Sequence, residues 1–262
     1  MIEVGWDQLQ LWVSAFFWPF CRLLAFFMSD PILGHKNVPS QVKVGLALLL
    51  AFLLAPNLPP MPDIALFSWA GLGVIVEQLL IGMSLGMVMR IALAAVEMAG
   101  DICGMQMGLA FASFFSADTG TNSQVLSRFL SLVTILMFLS LGGHLMVLEL
   151  LANTFSQLPI GHFGFNPQGW NMLARHGGSI FLTGLLLALP MVGALLIINL
   201  AMGILNRVAP QLTVFSVGFP ATLFVGMLLL TVLVGDLGQF LAGLLQQALQ
   251  FMQALIGQLG HA

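Results

Sequence analysis

The chain has 262 residues, 59% of them hydrophobic and only 6% charged. A water-exposed surface ordinarily needs about a quarter of residues charged, so this composition excludes a soluble globular protein. Seven Lys and Arg against ten Asp and Glu leave a net charge of −3. That excludes an electrostatic nucleic-acid binder, because neutralising phosphates takes clustered cations.

No polar block is long enough to fold by itself, so the reading is a single all-α, polytopic membrane domain over 1–262. Residues 1–10 carry Glu3 and Asp7 without Lys or Arg, unlike the basic start of a signal peptide, so the first apolar run is expected to stay in the protein. A crossing takes roughly 20 mostly apolar residues. That window predicts about six long, partly kinked helices, near 9–28, 42–58, 66–96, 125–151, 179–205 and 212–234. The third is too long for a straight crossing and must tilt, kink or extend beyond the bilayer. A further apolar stretch, 237–259, either continues the sixth helix or forms a separate surface helix. Its Gln239, Gln246, Gln250 and Gln253 share one helical stripe, better suited to another subunit or a wet interior than to lipid.

The few cations set the orientation. Lys36, Lys43, Arg128 and Arg207 fall in or beside the odd-numbered loops, whereas the 56–63 loop has none and the fourth loop only Arg175. The positive-inside rule therefore puts the odd loops in the cytoplasm and both termini outside.

Several features invite a chemical reading. Gly82-Met83-Ser84-Leu85-Gly86 matches the GxSxG of serine hydrolases and suggests an intramembrane protease. That chemistry needs a histidine beside the serine, and the spans from 179 to 234 contain none; His144 is the only one inside a span. Gly82 and Gly86 read better as a GxxxG face on which helices approach closely. Gly100, Gly104 and Gly108 form a second ladder at four-residue spacing, either tightly packed or able to bend. After it comes an apolar stretch too short and broken to span, holding Phe111, Phe114 and Phe115. It is either a loop folded onto the bundle or an aromatic gate in a pore, with Met105 and Met107 beside it as a deformable seal. Arg22, Glu77, Arg90 and Glu149 lie inside spans, where each charge costs about 2.5–3.5 kcal/mol near the centre. They either neutralise one another in the bundle or mark a functional site. Cys21 and Cys103 match no redox or metal spacing. No metal-ligand cluster, phosphate loop or dinucleotide fingerprint is present, so no cofactor or metal is expected.

Three stretches carry a family resemblance. Residues 206–220, with Asn206, Arg207, Pro210, Gln211, Phe215 and Pro220, resemble the signature of the FliR family of the flagellar type III export apparatus. Residues 97–109, with Gly100, Gly104, Gln106 and Gly108, resemble its central glycine-rich motif. Arg22, Pro31, Pro39, Lys43 and Pro56 follow its amino-terminal pattern.

The resemblance implies a core subunit of a helical export gate in the bacterial inner membrane, within the flagellar basal body. Such a chain, one copy of it, joins two smaller hydrophobic membrane proteins and passes unfolded flagellar subunits. Residues 1–178 would be a four-helix part resembling one partner, and 179–262 a helical hairpin resembling the other. The plug loop would map to 104–122, with Phe111, Phe114 and Phe115 closing it. The 206–220 loop would contact the switch protein that sets substrate specificity. The sequence thus points to a protein-conducting gate, not an enzyme. The nearest rival is the equivalent subunit of a virulence injectisome, disfavoured by Val217-Gly218-Phe219-Pro220. A secondary transporter using Glu77 and Arg90 is the rival of a different class, but the internal repeats of such transporters are missing.

Overall fold

The computed structural model describes residues 6–59, 61–62, 64–109, 125–161, 166–209 and 217–260, with residues 6–12 described by backbone alone. Among the described residues every regular element is a helix, so the all-α polytopic expectation holds. In chain order they are α1 (Trp6–Ser29), α2 (Ser40–Leu54) with a 3₁₀ turn at Ala55–Asn57, α3 (Trp69–Gln106), α4 (Val125–Ser140), α5 (Gly143–Gln157), α6 (Pro167–His176), α7 (Ser179–Val208) and α8 (Phe219–Gly260).

The expected spans survive with three changes. First, α3 runs unbroken through Gly100 as far as Gln106, 38 residues or about 57 Å at 1.5 Å per residue. Second, the expected 125–151 span is two helices, α4 and α5, bent by 67°. Gly142 at the joint has φ +70°, the left-handed conformation in which glycine escapes the Cβ clash and a helix ends. Third, the glutamine-bearing stretch continues the sixth helix: α8 is one helix of 42 residues. Among the described residues four helical stretches are long and apolar enough to cross a membrane by themselves, or five with the bent pair as one span. Within α1 the part whose side chains are described, Val13–Ser29, is apolar.

The chain divides into two compact units. The first comprises Met1–Ile91, Gly142–Gly177 and Gln246–Ala262; the second, Ala92–Leu141 and Gly178–Leu245. In the first unit α1 packs against α2, and the fully buried side chains include Trp18, Phe27, Leu85 and Phe155. The end of α8 belongs here: the Phe251 ring stacks on His176 at 3.7 Å, and Asn166 Nδ2 donates to the Gln258 carbonyl at 2.9 Å. The second unit has an apolar core of Val96, Ala99, Cys103, Leu130, Met191 and Leu237 with their neighbours. Outside these cores the apolar side chains face outward, as Phe52 on α2 and Ile197 on α7 do (71% exposed each). Water would not tolerate that pattern over several helices; lipid and partner helices do.

Candidate functional site

Arg22 is the centre of the best-built polar site, and it lies wholly in the first unit. It sits on α1 with no solvent exposure. An unpaired buried guanidinium is prohibitively costly, and each of its three nitrogens has an acceptor. Nε donates to Gln78 Oε1 at 2.8 Å, Nη1 to Thr154 Oγ1 at 3.0 Å, and Nη2 to the Leu158 carbonyl at 2.9 Å. The Phe155 ring lies under the guanidinium carbon at 4.3 Å, within cation–π reach. Gln78 Nε2 in turn donates to Glu77 Oε1 at 2.9 Å, which links the cation to a buried carboxylate through one amide. The planar fork of arginine thereby ties α1 to α3, to α5 and to the chain just past α5; a lysine has no such fork.

The same two helices meet through glycine. A Cβ on Gly82 would strike the Arg22 carbonyl and lie 3.0 Å from the Ala25 Cβ. One on Gly86 would strike Ser29 Oγ and lie 2.8 Å from the Phe26 carbonyl. The α3 backbone therefore rests directly on α1, which brings Gln78 within reach of Arg22. Ser84, between these glycines, is buried and donates its hydroxyl to the Ile81 carbonyl of its own helix at 2.8 Å. Past α1, Asp30 is buried and its Oδ2 accepts from the Ile32 and Leu33 amides at 3.0 and 2.8 Å. Burial raises its carboxyl above the ordinary range, against the pull of those two amides.

In the second unit, a Cβ on Gly100 would lie 2.6 Å from Ser127 Cα, so α3 and α4 are also in backbone contact. Ser127 donates to the Glu97 carbonyl at 2.9 Å, and Ser131 to Glu97 Oε1 at 3.0 Å. Gly104 is buried, and Gly108 has φ +82°, so the chain turns out of α3 through a left-handed residue. Met107 is fully buried and fills the space over Gly226, whereas Met105 is 53% exposed.

The sequence-predicted residues thus fall into separate places. Of the four in-span charges, Arg22 and Glu77 are buried and joined through Gln78. Arg90 and Glu149 are exposed in the chain by itself, so any burial of those two comes from outside it. Phe111, Phe114 and Phe115 lie outside the described residues, as do Pro210, Gln211 and Phe215 of the partner loop. Asn206, Arg207 and Pro220, which flank that loop, are exposed. The exposed face of α8 carries Gln239, Gln246, Gln250 and Gln253. Among the described residues no three His, Cys, Asp or Glu side chains are placed to hold a metal. Sequence reasoning did not pick out Gln78, Thr154 or Phe155; the available signal was a Glu-Gln pair inside an apolar helix, where polar side chains need partners.

Residues 13–248 match the family described as bacterial export proteins, family 1. The chain is 45% identical to the flagellar biosynthetic protein FliR of Pectobacterium carotovorum, over 98% of each chain. It is 42% identical to that of Escherichia coli K12 over 99% of each. With that of Bacillus subtilis it shares 27% identity over 94% of this chain and 96% of the relative.

Proposed function

This chain belongs to the FliR family of bacterial export proteins, and from that premise we propose that it is a core subunit of the flagellar type III protein export gate. It is a multi-pass membrane protein with a role in flagellar biosynthesis and export; the gate is the finer reading. In that reading one copy joins two smaller hydrophobic membrane proteins in the inner membrane, within the basal body, with both termini periplasmic. Unfolded flagellar subunits pass through the assembly. The loop holding Phe111, Phe114 and Phe115, seated by Met105 and Met107, is the plug that keeps ions and water out until an exported chain displaces it. The 206–220 loop faces the substrate-specificity switch protein. Catalysis has no part in it, which agrees with a Ser84 hydroxyl engaged by its own helix.

The observation that carries the proposal is end-to-end similarity to relatives named for flagellar biosynthesis. A supporting one is helix length. At 42 residues α8 measures about 63 Å, twice the roughly 30 Å of hydrocarbon it would cross, so much of it needs cover other than lipid.

Two measurements test it. Native mass spectrometry of the complex purified through a tag on this chain should find one copy with several copies of two smaller membrane proteins; a lone monomer or simple homo-oligomer would overturn the gate reading. Deleting residues 111–115 should make cells leak small ions while flagellar subunits are still exported. A tight membrane after that deletion would remove the plug and leave the subunit assignment standing.

A further inference from the structure

We infer that the outward face of α2, in the first unit, is a contact surface for lipid acyl chains, bracketed by a tied cation at one end and two exposed aromatic rings at the other. The inference needs only the multi-pass membrane reading and is independent of the gate. Among the described stretches able to cross a membrane, the one formed by α2 and its 3₁₀ turn is 11% buried by the chain itself, against 61% for α3. The two buried residues of α2 are Ala47 and Ala51, one turn apart, and the helix packs against α1. Small residues let helix backbones approach in a bilayer, so α2 turns its small side to the protein.

Large side chains face the other way. Val42, Leu48, Leu49 (59%), Phe52 and Leu53 (57%) are all exposed. Gly45 is exposed among them, but the residues four away are Gln41 and Leu49, so the face has no small pair for a second helix to approach. Across residues 44–56 no side chain is polar, so this face offers a partner neither a hydrogen bond nor a charge. Other outward faces differ: α3 exposes Arg90 and Glu97, α5 exposes Glu149, and α8 exposes its glutamines. Hydrocarbon over those faces would strand polar groups; over α2 it strands none.

Length and ends fit the same occupant. The 15 residues of α2 and the three of its 3₁₀ turn measure about 28 Å, against roughly 30 Å of hydrocarbon. At the first end Lys43 folds its ammonium back onto the Gly34 and His35 carbonyls at 3.0 and 3.2 Å. That charge does not enter hydrocarbon, so it marks the headgroup level. Lys36 of the same loop is exposed, and residues 31–58 hold no Asp or Glu. This end is therefore complementary to the anionic headgroups of the cytoplasmic leaflet, in the orientation proposed above. Past the second end, Phe67 and Trp69 are almost fully exposed where the chain enters α3. Ser68 between them holds the first turn of α3, its hydroxyl accepting from the Gly71 amide at 3.0 Å. Rings of this kind gather at the membrane–water interface.

The test uses the full chain purified from its own cells with whatever copurifies, placed in lipid nanodiscs, with a nitroxide on single introduced cysteines. Cys21 and Cys103 are buried, and the unsubstituted chain carried through labelling gives the background. At Leu49→Cys and Phe52→Cys, oxygen should relax the label more than a water-soluble nickel chelate does. The order should reverse at Gln41→Cys and Asn57→Cys. Weak relaxation by both agents at 49 and 52 means that protein covers the face, and overturns the inference. So does a chelate that dominates there, which means water, or an oxygen excess that persists at 41 and 57. Should a labelled chain fail to assemble, nanodiscs doped with a phospholipid bearing a mid-chain diazirine test the unaltered chain. Irradiation should leave lipid adducts on residues 44–56; adducts confined to other peptides overturn the inference. A face that passes in a chain isolated without smaller subunits removes the gate and keeps the lipid contact.

Discussion

Replacing Arg22 by alanine removes three donors from a fully buried site. The side chain spans from α1 to Gln78, Thr154 and the Leu158 carbonyl at 2.8, 3.0 and 2.9 Å. Thr154 retains its own bond to the Leu151 carbonyl at 2.7 Å, but Gln78 Oε1 and the Leu158 carbonyl lose these donors. The Glu77 carboxylate also loses the cation reached through Gln78. Breaking such a buried charged network costs about 3–5 kcal/mol. At about 2–4 °C per kcal/mol for a chain of this size, melting should fall by roughly 6–20 °C. Tryptophan fluorescence of the purified protein in lipid nanodiscs follows it, with Trp18 buried in the same unit as reporter. Arg22→Lys keeps the charge and loses the fork, so it should retain only part of the stability. Combining Arg22→Met with Glu77→Gln should cost less than the two single changes summed, because neither leaves the other's charge stranded. An Arg22→Ala protein that melts within about 2 °C of the wild type, under 1 kcal/mol, would refute the clamp.

The helix contacts make a paired prediction. Gly82→Ala places a methyl into the Arg22 carbonyl and should lower the melting temperature by several degrees, whereas Gly45→Ala meets nothing within 4 Å and should hold or gain about 0.5–1 kcal/mol. Gly108→Val forces a β-branched residue to φ +82° and should cost at least about 1–2 kcal/mol, read as a reduced membrane level of the chain. Asp30 gives a pH dependence. Its folded carboxyl is raised above the ordinary 3.8, so the folded state holds the proton longer than the unfolded one. Stability is then greatest below the ordinary value and declines as pH rises from there through the raised folded value. Asp30→Asn keeps an oxygen for the Ile32 and Leu33 amides and should flatten that decline in melting curves from pH 4 to 7; an unchanged slope would assign the pH dependence to another group.

Sequence alone determined the solvent, the helical class and the family. Hydropathy and charge are sums over local residues, and lipid imposes helices wherever an apolar run is long enough. The same locality placed the ends of α2 and α7 and the start of α3 within a few residues of the observed ones, whereas α3 runs ten residues past its expected end. It did not separate α4 from α5, because a lone Gly-Gly inside an apolar run is compatible with continuation, and the turn appears only in the positive φ of Gly142. Nor did it decide whether the glutamine-bearing tail was a new helix; α8 continues because the tail packs on α6, through Phe251 on His176 and Gln258 on Asn166. Arg22, Glu77, Arg90 and Glu149 were equivalent in sequence, four charges in three apolar runs. Only the tertiary structure divided them, burying the first two and leaving the others exposed in this chain. Residues 22, 78 and 154 become neighbours when three helices pack, and the cost of a buried charge depends on which donors and acceptors that packing brings within about 3 Å.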